Sequence, residues 1–144
     1  MIRSLTLALP IALIAGTVFA RDCRESSGDV LVVKSWNAEA HNPQFGGEGA
    51  KITIVMENKT PSAIRMIDAT IFFDDILGRS LVNLGVDEDA SIAAGAEFTQ
   101  SGSYQSYGGD IARLPQIKTE DAVVTICVTA LVNEDGSVQR FDDK

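Results

Sequence analysis

The sequence predicts an all-β domain, an antiparallel sandwich of about seven strands, and three observations carry that prediction. Several stretches alternate apolar and polar residues with the period-two spacing of half-buried strands. No stretch longer than a few turns shows helical periodicity, and clusters of Gly, Asn, Asp and Pro separate the strand-like stretches at short intervals.

Residues 29–36 (DVLVVKSW) are rich in β-branched side chains and read as the first strand. Residues 50–58 (AKITIVMEN) set Ile52, Ile54 and Met56 against Lys51, Thr53, Val55 and Glu57, which gives an inside and an outside. Pro61, in the segment NKTPSA, then stops the pattern. Residues 64–73 (IRMIDATIFF) place Ile67, Ala69, Ile71 and Phe73 on one face, with Asp68, Thr70 and Phe72 on the other.

Asp74 and Asp75 follow, and Gly78 leads into RSLVNL. Short carboxylates that bond nearby backbone, with a glycine free to take positive φ, are the chemistry of a turn. In SIAAGAEFTQSGSY, Gly95 marks another turn and Phe98 opens a strand. Residues 121–132 (DAVVTICVTALV) form the strongest strand, with Val124, Ile126, Val128, Ala130 and Val132 facing inward and Thr125, Cys127 and Thr129 outward. NEDG at 133–136 is a hairpin loop into SVQRF. Residues 105–121 fit no strand, and a single helical turn is expected at 111–114. The expected core is Ile52, Ile54, Ile71, Phe73, Val124, Ile126 and Val128, in a sandwich of immunoglobulin type.

Ahead of this domain the chain opens MIRSLTLALPIALIAGTVFA: a positive Arg3, an apolar run from Leu5 to Ala15, and the small residues Val18 and Ala20. That is the pattern of a secretory signal peptide ending at residue 20, which leaves residues 21–144 as one domain. Arg21 and Asp22 ahead of Cys23 break the small-residue box that lipid attachment needs. No second apolar run is long enough to span a bilayer, so membrane insertion after leader removal is not expected. The expected location is secreted or periplasmic.

Twelve basic residues stand against 20 acidic ones, a net charge of −8, and loss of the leader takes Arg3 with it. Such a balance disfavours nucleic acid and anionic membrane surfaces as partners. In an oxidising compartment Cys23 and Cys127 are expected to pair, clipping the N-terminal segment to the outer side or edge of a sheet. The chain-entropy model assigns a loop of that length about 4–5 kcal/mol, as an upper figure.

No complete catalytic set is legible. His41 is the single histidine and falls in the Gly-, Asn- and Pro-rich segment AEAHNPQFGGEGAK, read as a loop, without a nucleophile motif to join. One histidine and two paired cysteines do not make a zinc site. GGEGAK leads toward a strand rather than the helix N-terminus a phosphate loop requires. Asn58-Lys59-Thr60 is a formal glycosylation sequon with Pro61 directly after it. Tyr104 and Tyr107, in SGSYQSYGGD, are the candidates for an adaptable partner-binding loop. Asp74 and Asp75 could join Asp87 and Asp89 of the DED run as oxygen ligands for Ca²⁺, although no EF-hand spacing is present.

The order IVMENKTPSAIRMIDATIFFDDILGRSL followed by ASIAAGAEF carries a family resemblance. An Asn ends one strand, a long strand ends aromatic-aromatic-Asp, a Gly follows, and an alanine-glycine turn precedes a strand that begins with Phe. In these features residues 52–98 resemble the small exported immunoglobulin-like domains of the FxLYD type, relatives of the water-stress domain of late-embryogenesis-abundant proteins. Phe72, Phe73 and Asp74 match the Leu-Tyr-Asp part by type, while Thr70 and Ile54 replace the family's usual Phe and Gly. The resemblance implies a seven-stranded sandwich without catalytic residues. The expected function is therefore an exported, non-enzymatic module with an interaction or envelope-structural role, its partner another exported or envelope protein. The alternative is a Ca²⁺-binding domain built on the acidic hairpin ends.

Overall fold

The computed structural model describes residues 23, 29–42, 48–106 and 110–141; the expected leader and Tyr107 lie outside them. Seven strands follow in chain order: β1 Leu31–His41, β2 Glu48–Asn58, β3 Ile64–Asp75, β4 Ser80–Gly85, β5 Glu97–Ser106, β6 Ala122–Asn133 and β7 Val138–Arg140. They form two antiparallel sheets, one ordered β1-β2-β5 and the other β4-β3-β6-β7. The pairs β1/β2, β3/β4 and β6/β7 are neighbours within a sheet, and the chain changes sheet at β2–β3, β4–β5 and β5–β6. This is the Greek-key logic of an immunoglobulin-like sandwich, with β4 on the sheet of β3.

The alternation that predicts the strands also fills the core. Ile52, Ile54 and Met56 from one sheet join Ile67, Ile71, Phe73, Ile126 and Val128 from the other in a single buried cluster. Each such side chain contributes about 1.5–3 kcal/mol by leaving water. Trp36 of β1 meets Phe73 of β3 edge to face, with ring centroids 5.4 Å apart, and so ties the two sheets together. Val124 is half-buried at the margin of the cluster rather than within it. Between β5 and β6 a 3₁₀ segment, Ile111–Gln116, buries Ile111 and Leu114 against β1, β2 and β4. The helical turn expected at 111–114 is thus present and two residues longer.

Three sequence expectations change. β1 runs on to His41, which pairs with Gly49, so this histidine ends a strand instead of lying in a loop. β2 begins at Glu48, inside the GGEGAK run. Strand β6 changes face midway: Ala69 pairs with Val128 and Asp68 with Ala130, which leaves Thr129 as an extra residue. A one-residue bulge inverts every later side chain. Leu131 and Asn133 therefore turn inward, while Ala130 and Val132 face outward.

Candidate functional site

Asp75 closes β3 and is only 7% exposed. Its Oδ1 accepts the N–H groups of Leu77 and Arg79 at 3.0 and 2.9 Å, and Arg113 Nη1 lies 3.6 Å from Oδ2. The Arg79 N–H, then the Leu77 N–H and the Arg113 charge, hold this carboxyl below the usual carboxylate range. Asp75 is thus the organiser of the β3–β4 turn, with Gly78 at φ 80° completing it. Asp74 is buried beside it, so neither carboxylate is the solvated turn residue that composition favours.

Asp87 and Asp89 sit in the β4–β5 connection, where the Asp89 N–H donates to Asp87 Oδ1 at 3.2 Å. Ile67 donates its N–H to the Glu88 carbonyl, which sets this connection beside the first half of β3. Asp74 and Asp75 end the same strand, roughly 25 Å away at ~3.3 Å per residue. The structure does not bring the four carboxylates together, and among the described residues no three His, Cys, Asp or Glu groups converge as metal ligands would.

Tyr104 lies on the inner side of β5 and is half-buried against the core. Its ring folds back over Gly102, where a Cβ would come within 2.9 Å of the tyrosine Cζ and OH. Gln100 Nε2 donates to the Tyr104 hydroxyl at 3.2 Å. The residue is a fixed cover over an edge-strand glycine, not part of a mobile recognition loop.

Two polar residues carry more structure than their sequence context signals. Asn58 is fully buried, 0% exposed; its Nδ2 donates to the carbonyls of Ser62, Ile92 and Ala93 at 2.9, 3.1 and 3.2 Å. Its Oδ1 accepts the Thr60 N–H at 2.9 Å and the Thr60 hydroxyl at 2.8 Å. The sequon is therefore an internal brace between two connections, and its amide is closed to modification in the folded chain. Gln100 bridges the two sheets at their open side: Oε1 accepts the Asp87 N–H and Nε2 donates to the Gly85 carbonyl, both at 2.9 Å.

Cys23 and Cys127 form the expected disulfide, with Cα atoms 5.2 Å apart. Because Ile126 and Val128 point into the core, Cys127 points away from it, and the bridge sits on the outer face of the four-stranded sheet.

The same face carries the most distinctive surface feature. Past the Thr129 bulge, Ala130 and Val132 of β6 lie between Met66 of β3 and Val138 of β7, forming an apolar groove of about 250 Å³. Met66 and Val138 are 43% and 57% exposed. Asp68 and Glu88 line one part of the groove and Arg140 another; neither carboxylate makes an ion pair among the described residues. The sheet runs out beside it, because β7 has three residues and one neighbour. An apolar groove with a charged rim at a sheet edge can accept apolar side chains from a partner and fix their register by charge. The sequence concealed it because the bulge was not legible and Ala130 and Val132 read as core.

No family model, curated protein or solved structure matches the chain. Among the described residues no helix is long and apolar enough to cross a membrane.

Proposed function

We propose that this protein is an exported, non-enzymatic immunoglobulin-like module that works by binding another exported or envelope protein on the outer face of its four-stranded sheet. The observation that carries the reading is the groove formed by Met66, Ala130, Val132 and Val138. Met66 and Val138 are exposed and Ala130 and Val132 half-exposed on a sheet whose opposite face packs into the core, an arrangement whose cost a partner would relieve. The rigid frame beneath it supports the same reading. The Thr129 bulge, the β6–β7 pairing and the Cys23–Cys127 bridge all act on β6, which presents half of the groove. The leader-like first 20 residues and the disulfide favour an oxidising, exported setting. The resemblance to FxLYD-type domains agrees with a module that binds rather than catalyses.

The test is a cross-linked pull-down of the tagged protein from its exported compartment, run beside Val138→Glu. A partner recovered near stoichiometry with the wild type and lost with the variant supports the reading. Equal recovery from both would overturn the groove as the contact face.

A further inference from the structure

The tip of the β3–β4 hairpin carries an apolar feature of the opposite shape. Leu77 is 85% exposed and Ile76, beside it, is also largely in water. They do not hang on a loose loop. Asp75 Oδ1 holds the Leu77 and Arg79 amides, the Gly78 N–H donates to the Asp75 carbonyl, and the Ile76 N–H donates to the Asp121 carbonyl. The turn is braced at every position, and two large apolar side chains project from it.

Resting on the binding-module reading above, and taking the exported partner there to be a second copy of this chain, we propose that the occupant of the groove is that copy's Ile76-Leu77 knob, giving head-to-tail assembly. Volume is the first argument. The groove of about 250 Å³ has room for one Ile and one Leu side chain at the packing density of a protein interior. Charge is the second. Arg79 follows the knob and is exposed, its charge also felt by the Asp75 carboxylate, while Asp68 and Glu88 at the groove make no ion pair among the described residues. A knob that brings its own cation meets a rim of two carboxylates and one guanidinium, Arg140, which is net negative and matches it on the Asp68–Glu88 side, although the chain as a whole carries −8.

Placement is the third argument. Knob and groove lie toward opposite ends of β3, roughly 25 Å apart at ~3.3 Å per residue, so no copy can fill its own groove. A contact between two different patches is heterologous, and it propagates as a chain unless the rotation closes a ring. The contact is small, which sets a weak association, with Kd on the order of 0.1–1 mM.

Sedimentation equilibrium on the purified exported protein, from about 0.01 to 1 mM to span that Kd, tests the proposal with Leu77→Asp and Val138→Glu, both at exposed positions and both checked for an unchanged melting curve. The wild-type average mass should climb with concentration beyond two chains, and each variant alone should stay at the mass of one. Mixed in equal amounts, the variants should form a two-chain species and stop there. Leu77→Asp keeps its groove, Val138→Glu keeps its knob, and only one productive contact remains. A wild type that stays at one chain throughout would overturn head-to-tail assembly, and so would a mixture no heavier than either variant. If in that case the pull-down partner is another protein and is still lost with Val138→Glu, the module reading stands and only the second copy falls.

Discussion

Replacing Asn58 with Ala tests whether one buried side chain holds the two connections together. The residue's two Nδ2 protons are shared among three carbonyls and its Oδ1 takes the Thr60 N–H; the bond to Ile92 is buried and the others are part-buried. A hydrogen bond is worth about 1 kcal/mol net, and each partner left buried and unsatisfied adds about 1–3 kcal/mol. Some of the orphaned carbonyls lie close enough to the surface to recover water, so the expected loss is about 3–5 kcal/mol. That is a large share of the ~5–15 kcal/mol that stabilises a domain. With an m-value of about 2 kcal/mol/M, the urea midpoint should fall by about 2 M. Trp36, the single tryptophan, is packed on Phe73 and reports the transition by fluorescence. Asn58→Asp should be at least as damaging near neutral pH, because it would aim a carboxylate at three carbonyl oxygens. A loss below about 1 kcal/mol in Asn58→Ala would refute the brace.

Gly102→Ala should cost about 1 kcal/mol by forcing the Tyr104 ring aside, and should cost nothing in a Tyr104→Ala background; equal costs in both would show that the ring is not the obstacle. Cys23→Ser with Cys127→Ser should lose up to about 5 kcal/mol by chemical denaturation, since the bridge closes a 104-residue separation. Because the Asp75 carboxyl is held low in the folded state, its contribution is present above the unfolded pKa of about 3.9 and is lost as pH falls through the folded value. Melting temperatures from pH 7 to pH 2, within the carboxylate titration range, should therefore fall less steeply below about pH 4 in Asp75→Asn than in the wild type; parallel curves would contradict this. Ile126→Asp places an unpaired charge in the core and should abolish cooperative folding, read as loss of the Trp36 transition.

Strand-level structure was legible where alternation is clean. Ile52, Ile54 and Met56 in β2 and Ile67 to Phe73 in β3 hold the faces their spacing assigns, as do Ile126 and Val128 in β6. The turns at Gly78, Gly95 and Gly136 were also legible, since each glycine takes the positive φ that marks it. Beyond Val128 the run T-A-L-V is apolar on both faces, so period-two reading has no means of detecting one inserted residue. The Thr129 bulge is fixed by pairing with β3, a tertiary event, and the groove depends on it. Asn58 and Gln100 were hidden for a related reason: their partners lie at Ile92 and Gly85, far along the chain. The turn that follows the doublet Asp74-Asp75 was legible, because an Asp75 side chain bonding amides two and four residues on is local chemistry, but both carboxylates belong to β3 and are buried rather than solvated. Its burial is not local, since it depends on packing that includes the Arg113 segment.

The outer face of the four-stranded sheet, at the groove, is where we propose that this module meets its partner. A photo-activatable residue placed at Val138, with a control at exposed Thr99 on the other sheet, tests it in cells of the native host. The account predicts one discrete adduct from position 138 and none from position 99. Adducts of equal yield from both positions, or from 99 alone, would contradict it.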